Sequence, residues 1–157
     1  MPIFDNARNW IIPLLIVWIV LMVKDKSNRW KLAILIPLII LLCDQTGGFI
    51  KSFELRDRPW FALGTEVVNH LGGKGGKHYS FPSNHAANIT GIAIVFSYIY
   101  RKYKLIFWSF AGVISFSRVY IGVHYPADVL TGIILGCIFG FGLTTIWTMW
   151  IETRRKN

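Results

Sequence analysis

The 157-residue sequence predicts an all-α fold: a polytopic transmembrane helical bundle of about five spans, with a short interfacial helix in its largest outer loop. Three observations carry that expectation. Hydrophobic residues make up 54% of the chain and gather in long runs, not along one stripe of amphipathic helices. The basic residues collect in short segments between those runs. Tryptophans stand near the run ends, at Trp10, Trp30, Trp108, Trp147 and Trp150, where an indole keeps its ring in the membrane interface and its N–H hydrated.

The apolar runs cover roughly residues 9–23, 31–50, 86–100, 105–116 and 128–151. Several are shorter than the ~20 residues a crossing helix needs, so interfacial neighbours must extend them. The first run leads into a basic stretch over 24–31 and not into a small-residue cleavage site, so it reads as a retained span. Basic loops set the orientation. Lys24, Lys26, Arg29 and Lys31, then Arg101, Lys102 and Lys104, then Arg154, Arg155 and Lys156 mark the cytoplasmic side. The other side keeps Arg8, Lys51, Arg56, Arg58, Lys74, Lys77 and Arg118, together with His70, His78, His85 and His124. An odd number of spans then puts the N-terminus outside and the C-terminus in the cytoplasm.

A formal charge of +9 in a soluble domain would suggest nucleic acid. Here the cations flank apolar runs, so the bilayer is the expected partner, with no nucleic acid and no obligate protein partner evident. Cys43 and Cys137 lie inside apolar runs without ligand-like spacing and read as small buried hydrophobes. In the outer loop, Trp60, Leu63, Val67, Val68 and Leu71 recur at helical spacing, which is the interfacial helix. A run of Gly72, Gly73, Lys74, Gly75 and Gly76 then ends it and serves as a linker or a lid. Nothing divides the chain: one domain is expected over 1–157, with a motif-bearing core over 51–128.

Three polar blocks stand at the outer ends of the spans: Lys51 through Arg58 and Pro59, then Pro82-Ser83-Asn84-His85, then Ser117-Arg118 through His124 to Asp128. Charged and imidazole groups at a bilayer are costly unless solvated, paired or bound to a ligand. Prolines beside all three blocks suggest helix starts, whose free N–H groups and positive dipole end attract anions. Each block has a plainer reading. Lys51 and Arg58 can snorkel to the interface, and Ser83 or Asn84 can simply cap a helix. Asp128 can cap its own helix, or reach back four residues to orient the His124 imidazole. Metal ligation is not expected, because the histidine spacing fits no HExxH or compact Cys/His pattern and nearby cations would repel the ion.

Together the blocks resemble the three-part signature of the type 2 phosphatidic acid phosphatase superfamily, KxxxxxxRP, PSGH and SRxxxxxHxxxD. They read here as Lys51 with Arg58-Pro59, Pro82-Ser83-Asn84-His85, and Ser117-Arg118 with His124 and Asp128. The resemblance implies a metal-independent, cofactor-free membrane lipid phosphatase. His124 would take the phosphoryl group, Asp128 would orient it and His85 would protonate the leaving oxygen. Lys51, Arg58 and Arg118, assisted by Ser83 and Asn84, would hold the phosphate. Asn84 departs from the family glycine. Asp57 is left as a partner for a neighbouring cation.

The resemblance further implies a bacterial inner-membrane enzyme acting on the periplasmic face. A lipid A 1-phosphatase is the leading substrate type, with phosphatidylglycerophosphate or undecaprenyl diphosphate as alternatives. A non-enzymatic phosphate-binding membrane protein is the alternative from another class; it has no use for a carboxylate-supported imidazole. Two structural expectations complete the reading. Asp128, Gly132, Gly136 and Gly140 share one helical face built for close packing. Asp44, roughly 10 Å below Lys51, should serve a buried donor.

Overall fold

A computed structural model describes residues 8–64, 68 and 78–152. Among them the regular elements are all helical: α1 (Arg8–Lys24), α2 (Arg29–Lys51), α3 (Pro59–Ala62), α4 (Asn84–Ile99), α5 (Lys104–Tyr120) and α6 (Pro126–Ile146). A 3-10 turn (Arg101–Tyr103) precedes α5, and a π-helical turn (Trp147–Glu152) extends α6. The five long helices coincide with the five apolar runs. Two stretches, Arg29–Lys51 and Pro126–Ile151, are long and apolar enough to cross a membrane. The others have 17, 16 and 17 residues, at or below the lower limit of a spanning helix.

Helix α4 is the hub, packed against α2, α5 and α6. Its contact with α6 depends on the expected small-residue face. A Cβ added at Gly136 would lie 2.8 Å from the Thr90 Cβ, and one at Gly140 would lie 2.9 Å from the Ile94 Cδ1. Without side chains there, the backbones come close enough for dense packing. The opposite face of α6 carries Leu130, Ile134, Ile138 and Phe141, all more than half exposed. Glycine therefore faces protein and bulky apolar residues face outward, the arrangement expected where lipid covers the outside. At the other end of the bundle Leu32, Leu35, Ile36, Val95 and Trp147 form an apolar core.

Helix α3 is one turn long. Its cap at Leu63 is followed by Gly64 at φ 77°, a left-handed conformation that ends the helix. Trp60 lies in α3, but the expected interfacial helix is not seen to continue: Val67 and Leu71 lie outside the described residues, as do Gly72 to Gly76, His70, Lys74 and Lys77.

Candidate active site

Each polar block ends up where its prolines suggested. Arg58 is the N-cap of α3 with Pro59 at the first helical position, Ser83 is the N-cap of α4, and Pro126 opens α6 behind Tyr125. The blocks are then tied to one another. Lys51 Nζ, at the end of α2, donates to the Pro82 carbonyl at 2.5 Å and also to Asn84 Oδ1. The Ser83 N–H donates to the Asp128 carbonyl at 3.0 Å. The turn after α5 closes on Arg118, whose carbonyl accepts from the N–H groups of Val123 and His124 at 3.3 and 3.2 Å, with Gly122 supplying φ 73°. That closure gives the spacing from Arg118 to His124 its physical reason.

His124 is only 5% exposed, and its Nδ1 lies 3.8 Å from Asp128 Oδ2 with no hydrogen-bond partner. The expected imidazole–carboxylate pair is thus juxtaposed, but its hydrogen bond is not closed. Asp128 meets the plainer expectation at the same time, since Oδ2 accepts the Tyr125 N–H at 2.9 Å as a helix cap. Burial pushes the His124 imidazole below its ordinary value. The Asp128 carboxylate opposes that shift, and the cations of Arg58 and Lys51 reinforce it. Arg118 is almost completely buried, and its Nε donates to Ser117 Oγ at 3.3 Å. His85, in the first turn of α4, is exposed where His124 is buried.

Ser83 is fully buried, and its Oγ accepts from the Ala86 N–H at 3.5 Å, a long cap. Asn84 has its amide engaged at both ends. Its oxygen takes Lys51, and its nitrogen donates to Asp44 Oδ1 at 3.2 Å. Room for this side chain comes from Gly47, where a Cβ would sit 2.8 Å from Asn84 Cγ. The side chain that replaces the family glycine thus orders the Lys51 ammonium, while its first-turn N–H stays on the helix end. Asp44 also accepts from Asn88 at 2.9 Å, so it serves side-chain amides, but these bonds are exposed where a buried donor was expected. The residue itself is exposed on the helix surface, not buried.

Sequence reasoning missed two contacts of the carboxylate. Arg56 Nη1 lies 2.8 Å from Asp128 Oδ1, and Ser80 Oγ donates to Oδ2 at 2.5 Å. They stand 72 and 48 residues from Asp128, a separation across which local pattern carries no signal. The only hint was the excess of outer cations, in which Arg56 was counted without a role. Asp57 pairs not with a neighbouring cation but with His78, whose Nδ1 lies 2.6 Å from its Oδ1, so the loop after α2 is stitched to the segment before α4.

Comparisons with known proteins place the chain in a family. A lipid A 4′-phosphatase of Bacteroides thetaiotaomicron is 33% identical over 143 residues, 81% of this chain and 61% of the relative. A lipid A 4′-phosphatase of Porphyromonas gingivalis is 36% identical over 110 residues, 66% of this chain and 45% of the relative. This chain therefore spans roughly half to three-fifths of the length of those two proteins. The crystal structure of Aquifex aeolicus LpxE superposes with a TM-score of 0.68 at 31% identity, covering 84% of this chain and 75% of that one. The PAP2 superfamily model matches residues 30–152, from the start of α2 to the end of the π-helical turn and so through all three polar blocks. The chain belongs to the PAP2 superfamily.

Proposed function

We propose that the protein is a membrane lipid phosphatase that works through a phosphohistidine at His124. The observation that carries this is the buried His124 imidazole, with Nδ1 turned to the fully buried Asp128 carboxylate and the charges of Lys51 and Arg58 acting on it. A simple anion binder needs the cations but not that pair. With the Nδ1 proton directed at Asp128, Nε2 keeps its lone pair for phosphorus.

In the first step the Nε2–P bond forms and the P–O bond to the lipid breaks, the departing oxygen taking a proton from His85. In the second, water attacks phosphorus, His85 accepts the water proton, and the P–N bond breaks to release inorganic phosphate. Lys51, Arg58 and Arg118 neutralise the equatorial oxygens through the pentacoordinate state, and the Ser83 hydroxyl and the first-turn N–H groups of α4 add neutral donors.

All three polar blocks belong at the outer end of a bundle whose five long helices cross the bilayer, with the short ones extended by interfacial residues. The positive-inside distribution supports this orientation, placing the site on the periplasmic face of a bacterial inner membrane with the C-terminus in the cytoplasm. Among substrates, lipid A is favoured, and the names of the two phosphatase relatives turn the choice from the 1-phosphate to the 4′-phosphate. Purified protein assayed on lipid A bearing a single phosphate at either position, on phosphatidylglycerophosphate and on undecaprenyl diphosphate tests this ranking. Release from the 4′-substituted lipid should be fastest. Equal rates on all four would refute the lipid A reading, and the absence of any phosphate release would refute the enzymatic one.

A further inference from the structure

We propose that Arg56 is a positioning residue for this reaction: its guanidinium holds the Asp128 carboxylate in the orientation that supports His124. The inference rests on the phosphohistidine reading and deepens it. Arg56 belongs to none of the three sequence blocks' signature positions, yet it makes the ion pair with the fully buried carboxylate, at 2.8 Å on Oδ1. Ser80 and the Tyr125 N–H occupy Oδ2, at 2.5 and 2.9 Å. With donors on both oxygens the carboxylate cannot rotate, and the oxygen left beside His124 Nδ1 is Oδ2, 3.8 Å away. A movement of about 1 Å closes that gap to a hydrogen bond.

The guanidinium is itself held. Its carbon lies 5.7 Å from the Phe81 ring centroid and 5.3 Å from that of Tyr125, within cation–π range of both. Its backbone carbonyl accepts from the Ser80 N–H at 3.1 Å, so the two residues that grip Asp128 also fix each other. Lys51 and Arg58 act directly on His124, whereas Arg56 acts on the carboxylate behind it.

Two consequences differ from those of a phosphate ligand. Losing Arg56 frees the carboxylate to rotate, which misplaces the support of His124 by a fraction of an ångström to an ångström and lowers kcat more than it raises KM. It also removes a positive charge behind Asp128, so the carboxylate attracts the imidazolium more strongly. The groups facing His124 are then Asp128, Lys51 and Arg58, and the acid limb of kcat/KM moves to higher pH.

The experiment compares the parent chain with Arg56→Gln, Arg56→Lys, Ser80→Ala and His124→Ala on lipid A phosphate, over a pH series and with vanadate titration. Arg56→Gln should lose about 10- to 100-fold in kcat with KM nearly unchanged, an upward-shifted acid limb and vanadate affinity intact. Arg56→Lys should recover part of kcat, and Ser80→Ala should fall in the same direction by less. A raised KM and weakened vanadate binding with kcat preserved would make Arg56 a phosphate ligand. A lower kcat with the limb unmoved and no recovery by lysine would make it merely structural. If Arg56→Gln does not fold, parental kcat in both Arg56→Lys and Ser80→Ala overturns the proposal. An active His124→Ala would defeat the phosphohistidine reading itself; an inactive one beside parental Arg56 variants would defeat only this inference.

Discussion

Asp25 and Asp128 lie toward opposite ends of α2, and each carboxylate accepts three hydrogen bonds. Asp25, in the turn between α1 and α2, takes the Asn28 N–H at 3.1 Å, Asn28 Nδ2 at 2.9 Å and Tyr100 Oη at 2.9 Å. The amide of Asn28 is the main reason its carboxyl is held below the usual range. Asp128 takes Arg56, Ser80 and the Tyr125 N–H. The counts match, but the surroundings do not. The donors to Asp25 are neutral, and they tie the first helix turn to the end of α4, which is a structural task. Asp128 is fully buried, is paired with a cation and faces an imidazole whose near nitrogen is left without a partner. A carboxylate becomes a candidate for chemistry through what it leaves unfinished beside it, not through how well it is satisfied.

The sharpest way to break this contrast is at the imidazole. His124→Ala should lose about 10³-fold or more in phosphate release, read against a protein whose thermal unfolding in detergent is otherwise like the parent's. Parental turnover would remove the reason for distinguishing the two ends. Next, Asp128→Asn should cost about 10²-fold in kcat, while Asp25→Asn, measured in the same assay, should stay within about twofold and instead lose roughly 1 kcal/mol of stability. Comparable kcat losses at both positions would mean that the carboxylates act alike, through the fold.

The pH profile sharpens the same point. A protonated imidazole has no lone pair for phosphorus, so activity falls as pH drops through the His124 pKa. Burial holds that pKa below about 6.5, so the acid limb of kcat/KM should lie on the acidic side of that value. A midpoint above it would show that Asp128 outweighs burial and the two cations. Smallest in activity is the bracing of α6. Gly136→Ala should cost about 1–3 kcal/mol, because Thr90 and Ala87 leave no room. Gly142→Ala, which meets nothing within 4 Å, should be neutral or slightly stabilising. Equal melting temperatures for the two variants would disprove the close α4–α6 contact.

Much of this is legible in the sequence. The apolar runs located the five long helices, since burying backbone polar groups in hydrocarbon demands hydrogen bonds made within each segment. Prolines at positions 59 and 126 marked the helix starts, because the ring is tolerated where the N–H is unsatisfied in any case. The four-residue glycine steps marked the packing face of α6, since side chains four apart share one face. His124 and Asp128 were paired for the same reason of local spacing.

Only the tertiary structure decided what touches that pair. Local periodicity ends where the chain leaves the helices, and the loop that brings Arg56 and Ser80 to Asp128 is set by contacts between segments dozens of residues apart. Asn84 shows the same limit: its departure from glycine was visible as a letter, while its grip on Lys51 and the space opened for it by Gly47 exist only when α2 and α4 are side by side. The sequence by itself therefore determined the helices and marked the candidate reacting groups, which depend on local spacing and hydrophobicity. The tertiary structure decided which donors complete the site, because a buried carboxylate takes its partners from whatever the packed fold brings within hydrogen-bond reach.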